Sequence, residues 1–188
     1  IDEIKFAFYE WLSEVEYLCS HRYELSKKSK FLSFNYTLLL QNYYEIPSDS
    51  IFYIHGNLNK QTELVFGHGI DLEIESEFDD DGEPNRTLMT DSINASKSIF
   101  GAFRKPVQDI IKNNKDFFKS LKETEEIIIL GHSLNEVDLP YFIKIQKFAF
   151  KANWKISTHN ADDEEKFCRI FKRIGIDESK IEFFKMNN

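Results

Sequence analysis

The sequence predicts an α/β fold, a doubly wound and largely parallel sheet with helices on both faces and a loop and helix insertion. In the final third of the chain, short apolar runs alternate with amphipathic stretches, which is typical of right-handed βαβ crossovers. The run at 127–130 is apolar at every position, which indicates a strand buried on both faces, as in a parallel sheet. The 188 residues, 41% of them hydrophobic, supply enough apolar surface for one domain with a substantial core.

The first third of the chain predicts a helix followed by two strands. Over residues 1–20, apolar side chains recur at steps of three and four residues, as in an amphipathic helix. Residues 31–34 form an apolar run too short for a helix, and Asn35 follows it as a natural N-cap for a second helix. Residues 51–54 are a second strand, which runs into a His-Gly pair.

The middle of the chain predicts a third strand and an insertion. Residues 64–66 form another short apolar run. Residues 71–91 are rich in acids and lack any period, which indicates a surface loop, and helical signals return over 94–122. Because residues 1–20 resemble the middle of a fold, we expect residues 1–188 to form a single α/β domain that lacks an upstream βα unit.

The final third predicts three strands and two helices. The run at 127–130 is expected to be the central strand of the sheet, and Asp138 is expected to cap the helix that follows it. Residues 154–157 form the next strand, and Asn160 caps a further helix. The last strand, at 181–184, has the mixed composition of an edge strand.

Charge and composition exclude several classes of partner. The formal net charge of -8 gives no general attraction to a phosphate backbone, so duplex nucleic acid is not expected to bind. No apolar run approaches the roughly 20 residues needed to span a bilayer, and no signal sequence opens the chain, which predicts a cytoplasmic protein without a membrane partner. Cys19 and Cys168 fall on apolar helical stripes, so neither a disulfide nor a metal pair is indicated.

Polar residues and glycines cluster directly after the predicted strands. In an open parallel sheet, ligands bind beyond the carboxyl ends of the strands. The residues at these positions are Asn35, His55, Gly56, His68, Gly69, Gly131, His132, Ser133, His159 and Asn160. Because such groups converge on one edge of a sheet, we predict a ligand crevice at which Asn35, His55 and Gly131 meet.

Each of these residues also has a structural interpretation. Asn35, taken alone, is better explained as an N-cap, and Asp138 caps a helix whatever else it does. His55 and His68 precede glycines and suit turns in which the imidazole bonds local backbone. A zinc site built from histidines is a weaker alternative, since no spacing matches HExxH, CxxC or a comparable ligand set.

Five short motifs follow one another along residues 31–142. They are Phe34 to Thr37, Ile54 to Gly56, Phe66 to Gly69, Leu130 to Leu134, and Asp138 with Tyr141 and Phe142. The order of these motifs and the residues in them resemble the AbiH family of bacteriophage abortive infection proteins. The chain departs from that family in two places. It has no Gly-rich Gly-Asn-Gly-Phe-Asp segment after a first strand, and it carries Gln41 where relatives often carry Glu.

The same order of parts is more distantly similar to the sirtuin-like NAD-binding domains of anti-phage proteins, whose fold is Rossmann-like. This resemblance implies NAD as ligand or substrate, with hydrolysis of the bond between nicotinamide and ribose. Asn35 and His55 would be the catalytic pair. The residues that would bind the nucleotide are Thr37, Gly56, Gly131, His132, Ser133 and Asp138.

Hypotheses of different classes stay open at this point. In the first, the protein is an NAD hydrolase in which His55 accepts a proton and Asn35 holds the water or the ribose. In the second, it is a non-catalytic module that senses a nucleotide or a phage protein. A third and weaker hypothesis is a metal-dependent hydrolase that uses His55, His68 and His132. Each is compatible with a homo-oligomer.

Overall fold

The computed structural model describes residues 2–15, 23–60, 64–70, 81 and 90–185. The chain divides into two compact units, an N-terminal unit of residues 1–105 and a C-terminal unit of residues 106–188. Strands pair in parallel in both units, which confirms the α/β class. Among the described residues, no helix is long and apolar enough to cross a membrane.

The N-terminal unit is built on a two-stranded parallel sheet. Its elements are α1 (Asp2–Ser13), β1 (Phe31–Ser33), α2 (Leu39–Asn42), β2 (Ile51–Tyr53) and α3 (Thr90–Ala102). Phe31 pairs with Ile51 and Ser33 with Tyr53, and the Ile54 amide extends the ladder by donating to the Ser33 carbonyl. The predicted strands at 31–34 and 51–54 are therefore confirmed, each one residue shorter than expected.

Helix α1 contributes an aromatic residue to the core of this unit. The Phe8 ring lies 5.3 Å from Tyr36, edge to face, and 5.0 Å from Phe66. Aromatic pairs at such distances add to the free energy gained by burial alone. The sequence predicts α1 to continue to residue 20, but residues 16–20 lie outside the described part of the chain.

Two expectations for this unit are wrong. Asn35 does not cap a helix, because α2 begins only at Leu39, and its amide instead donates to Ser33 Oγ at 3.2 Å. Residues 64–66 are not a strand. Leu64 is buried in the core, while the Val65 amide donates to the His55 carbonyl and the Val65 carbonyl accepts from the Tyr36 hydroxyl. The backbone of Val65 thus forms its hydrogen bonds with a loop carbonyl and a tyrosine hydroxyl, and not with a neighbouring strand.

The insertion predicted at 94–122 is helical, with its boundaries shifted. Helix α3 starts at Thr90 and ends at Ala102, inside the N-terminal unit. The stretch after Pro106 is broken into two helices at Asn114, whose side-chain amide donates to the Ile110 carbonyl. The predicted acidic loop at 71–91 lies outside the described residues except for Asp81 and the start of α3.

The C-terminal unit is a three-stranded parallel sheet with crossover helices. Its elements are α4 (Val107–Asn113), α5 (Lys115–Lys119), β3 (Glu126–Ile129), α6 (Leu139–Phe148), β4 (Asn153–Thr158), α7 (Ala161–Arg173) and β5 (Ile181–Lys185). The strand order is β3-β4-β5. Asn160 caps α7 as predicted, since its Oδ1 accepts from the Asp163 amide at 2.9 Å.

The central strand of this sheet is β4, which corrects the prediction for residues 127–130. Strand β3 lies at an edge of the described sheet, and Ile128 is 53% exposed, so burial on both faces is not observed. Trp154 and Ile156 of β4 are fully buried instead. Apolar character at every position predicted a strand correctly, but it did not determine which strand would have two neighbours.

One face of the C-terminal sheet carries the core. Trp154 packs against Phe171 of α7, with ring centroids 5.8 Å apart. On the opposite face, Lys155 lies between Glu126 and Glu182, at 2.8 and 3.8 Å. The doubly wound arrangement, with helices on both faces of the sheet, is not confirmed in the described part of this unit.

Candidate functional site

The candidate residues of the N-terminal unit follow two paired strands. Because β1 and β2 are parallel and in register, the residues after them lie at the same edge of the sheet. Asn35 is exposed there, and its backbone is fixed on both sides, since the amide donates to Ser33 Oγ and the carbonyl accepts from the Ser33 hydroxyl. Thr37 is half-buried. Asn35 is thus exposed to solvent, and its backbone is hydrogen-bonded to Ser33.

His55 lies in the core of the same unit. It is 2% exposed, and its ring contacts Phe34 edge to face at 5.5 Å and Tyr36 at 6.4 Å. Gly56 follows with a φ of 81°, in the left-handed region that glycine adopts without strain. Proton exchange between this imidazole and a ligand would require the surrounding aromatic rings to move.

His68 uses both ring nitrogens inside the fold. Its Nδ1 accepts from the Ile70 amide at 3.2 Å, its Nε2 lies 2.9 Å from the Phe100 carbonyl, and its ring stacks on Phe100 at 3.7 Å. These partners define a neutral tautomer with the proton on Nε2. Among the described residues, no three His, Cys, Asp or Glu side chains are grouped as metal ligands. His68, which the sequence offered as a candidate ligand residue, therefore forms contacts that hold its own loop in place.

Gly67 makes the close approach of this loop to α3 possible. The His68 amide donates to the Phe103 carbonyl, and the Lys105 amide donates to the His68 carbonyl. A Cβ at Gly67 would lie 1.7 Å from the Phe103 carbonyl oxygen. Only glycine fits this position without a shift of the backbone.

The candidate residues of the C-terminal unit share one loop, residues 131–138, between β3 and α6. Gly131 opens it with a φ of 61°, and its amide donates to Ser157 Oγ at the end of β4, at 2.9 Å. The Ser133 carbonyl accepts from Lys166 Nζ at 3.0 Å, and Ser133 itself is exposed. The loop is thus held by two other elements and presents a hydroxyl beside an exposed ammonium group.

The interior of this loop is organised around His132. The Leu134 amide donates to His132 Nδ1 at 2.9 Å, and His132 Nε2 lies 3.8 Å from Asp138 Oδ2. The ring also contacts Phe142 of α6 edge to face at 5.1 Å. Asp138 stands in the N-cap position that the sequence predicts, but its side chain makes no cap hydrogen bond and its carboxylate faces the imidazole instead.

Sequence reasoning missed three residues of this loop environment. Ser157 reads as an ordinary strand residue, Lys166 reads as part of a solvated helix face, and Leu134 has no polar group. The structure places the first two on the loop backbone and gives Leu134 a φ of 51° although it is 1% exposed. A buried non-glycine residue in the left-handed region is uncommon, and its sequence carries no signal of it.

The backbone amides at the start of α6, next to the loop, donate hydrogen bonds within the protein. The Leu139 amide donates to the Glu136 carbonyl, the Tyr141 amide donates to the Asp138 carbonyl, and Pro140 has no amide hydrogen. The first turn of α7 carries three acids, Asp162, Asp163 and Glu164. Acids at a helix N-terminus repel an anion, so the first turn of α7 is not suited to bind a phosphate.

Comparison with known proteins gives one match. A family model described as "Bacteriophage abortive infection AbiH" matches residues 1–158, which include all the residues predicted to be catalytic or to bind the nucleotide. No curated protein and no solved structure matches the chain.

Proposed function

The chain belongs to the AbiH family of bacteriophage abortive infection proteins, and we propose that it defends its host by binding NAD and hydrolysing the bond between nicotinamide and ribose. The proposed setting is a Rossmann-like, doubly wound α/β domain in the cytoplasm. Support for that architecture comes from the three described strand pairings, all of which are parallel. In such folds, nucleotides bind at the loops that follow the carboxyl ends of the parallel strands.

The observation that carries the proposal is the 131–138 loop. A glycine in the left-handed region directly follows a parallel strand, and the loop is fixed to the neighbouring strand by the Gly131 amide. Ser133 and Lys166 then offer a hydroxyl and a cation at the same place. These groups match what a nucleotide phosphate and ribose require of a site.

The reaction assigns different tasks to Asn35 and His55. Cleavage of an N-glycosidic bond develops positive charge on the sugar, so a site needs to orient the ribose and a water and to take up a proton. Asn35 suits the first task because its side chain is exposed on a fixed backbone. His55 suits the second task chemically, and a shift of Phe34 and Tyr36 would expose its ring.

The burial of His55 favours the second candidate function, a non-catalytic module that senses a nucleotide or a phage protein. A histidine that is 2% exposed serves the packing of the N-terminal unit in the described conformation. In such a module, nucleotide binding at the 131–138 loop would be retained and turnover would be absent. The two candidates therefore differ in NAD loss and agree in NAD binding.

The test uses the full chain in cells challenged with phage, with NAD measured together with survival. His55→Phe keeps an aromatic ring of similar size and removes both nitrogens, so it separates chemistry from packing. Asn35→Ala is matched with Asn59→Ala, because Asn59 is also exposed in the same unit. We expect NAD consumption to fall by about 10²-fold or more in the first two variants and to stay normal in the third.

Unchanged NAD in infected wild-type cells that still survive as a population would exclude hydrolysis and leave the sensing module. Isothermal titration of the purified chain with NAD then decides whether a nucleotide is the ligand. A chain that neither binds nor consumes NAD would leave a phage protein as the partner.

A further inference from the structure

The bond between His132 and Leu134 fixes a strained backbone. Leu134 is buried with a φ of 51°, a conformation that costs energy for any residue with a Cβ. Its amide donates to His132 Nδ1 at 2.9 Å, two residues back along the chain. This geometry is the histidine counterpart of an Asx-turn, in which a side-chain oxygen accepts the amide two residues on.

The bond exists only while Nδ1 carries a lone pair. A neutral imidazole has one donor and one acceptor nitrogen, whereas a protonated imidazole has two donors. A proton on Nδ1 would point at the Leu134 N–H, and two donors repel each other. Protonation of this ring is therefore incompatible with the described conformation of the loop.

The charges around His132 make both states reachable. Asp138 Oδ2, 3.8 Å from Nε2, attracts the protonated ring. From α7, Lys166 contacts the Ser133 carbonyl and opposes a second positive charge, while Arg173 is paired with Glu136 at 2.8 Å. From α6, the apolar ring of Phe142 contacts the imidazole edge to face. Histidine is the side chain whose charge ordinarily changes between about pH 5 and 8.

We propose that His132 is a positioning residue that controls the 131–138 loop through its charge: the neutral ring holds Leu134 and the loop in the described conformation, and protonation of Nδ1 by solvent releases them. In this role, His132 acts on the ligand site through the backbone of the loop. The functional consequence rests on the proposed nucleotide site, because the same loop presents Ser133 to the nucleotide.

The sign of the pH dependence follows from proton counting. The held conformation has one proton fewer on His132 than the released one, so raising the pH favours the held state and lowering it favours release. Nucleotide binding at this loop is accordingly expected to weaken as the pH falls from about 8 to about 5.5.

Amide hydrogen exchange at Leu134, measured by NMR on the full chain and corrected for the intrinsic effect of pH, tests the mechanism without a ligand. We expect about tenfold greater protection at pH 8 than at pH 5.5 in the wild type. In His132→Asn, the side-chain oxygen accepts the same amide and cannot be protonated in this range, so protection is expected at both pH values. In His132→Ala, protection is expected to be lost at both.

His159→Asn is the matched control, since His159 is exposed at the end of the neighbouring strand and its removal should leave the Leu134 profile unchanged. Equal protection of wild type at the two pH values would overturn the proposal, as would a pH dependence that persists in His132→Asn. NAD titration of the same samples is read separately. Absence of NAD binding at every pH would refute the proposed ligand while the exchange data still decide the role of His132.

Discussion

Gly67 occupies a backbone position that a side chain would block. The Phe103 carbonyl approaches it so closely that a Cβ would overlap the oxygen, and its φ of 134° is strained for any other residue. The loop that follows is fixed there by the amides of His68 and Lys105 and by the stacking of His68 on Phe100. The absence of a Cβ at Gly67 therefore allows the loop to pack closely against the Phe103 backbone at the end of α3.

Gly67→Ala is expected to lower the free energy of unfolding by about 2–4 kcal/mol, through backbone strain and overpacking. Gly101→Ala is the matched control, because Gly101 lies in α3 of the same unit and a Cβ there meets nothing within 4 Å. Its effect should range from neutral to a gain of about 1 kcal/mol, as alanine favours the helix. Urea unfolding of both variants checks the difference, and equal midpoints would refute it.

The placement of Asn35 and His55 could be predicted from sequence, but their environments could not. Both follow short apolar runs that form parallel strands, and chain order alone brings them to one edge. The burial of His55 depends on the packing of Phe34 and Tyr36 around its ring, and that is a tertiary contact without a local signal. His68 looked like a ligand for the same reason, since a His-Gly pair is compatible with either role.

The two edge strands of the C-terminal sheet differ in what they expose. Strand β5 carries Glu182 and Lys185 at exposed positions, as edge strands usually do. Strand β3 exposes Ile128 instead, next to an edge without a described neighbour. The apolar residues of β3 therefore predicted a central strand. The number of neighbours that a strand has depends on the path of the chain, which its own residues do not determine.

Substitutions in β3 should separate its two faces. Ile129 is buried, so Ile129→Ala is expected to cost about 2–4 kcal/mol of stability. Ile128→Ala, on the exposed face, should cost less than about 1 kcal/mol. Denaturant unfolding of the full chain measures both. A large loss at Ile128 would show that this face is covered in solution.

The ion pairs of Lys155 with Glu126 and Glu182 cross the C-terminal sheet, and they should make the stability of the fold fall at alkaline pH. Hydrogen bonding and charge attraction from Glu126, with a smaller contribution from Glu182, raise the pKa of Lys155 above its ordinary value. A raised lysine pKa stabilises the fold fully below about pH 10 and loses that contribution as the pH rises through the folded value. Lys155→Met should therefore flatten the stability profile above about pH 10, whereas Lys112→Met, on the exposed surface of α4, should keep the wild-type profile.

At the scale of the whole molecule, charge sets which partners the chain attracts. A formal net charge of -8 repels the phosphate backbone of DNA, whose non-specific binding needs Lys and Arg side chains to replace its counterions. We expect no saturable binding of duplex DNA up to about 100 µM protein at about 0.15 M salt. Fluorescence anisotropy with a labelled duplex measures this, and binding that weakens steeply with added salt would contradict the expectation.

The α/β class and the family could both be recognised from the whole sequence, because each depends on the order of parts. Alternation of apolar runs with helical stretches predicted parallel pairing, and the ordered motifs agree with a family match over residues 1–158. The arrangement of the strands could not be predicted in the same way. Residues 127–130 are apolar at every position and β4 contains several polar residues, yet only β4 has two described neighbours.

Parallel pairing also has a kinetic consequence for this chain. Glu126 pairs with Asn153 and Trp154 with Ile181, so each pairing in the C-terminal sheet joins residues 27 positions apart. No strand can find its neighbour through a short hairpin, and each intervening segment must close as a loop before the ladder forms. Contacts this distant along the chain slow folding relative to helical proteins of the same size. The C-terminal unit is therefore expected to fold more slowly than a helical bundle of the same length.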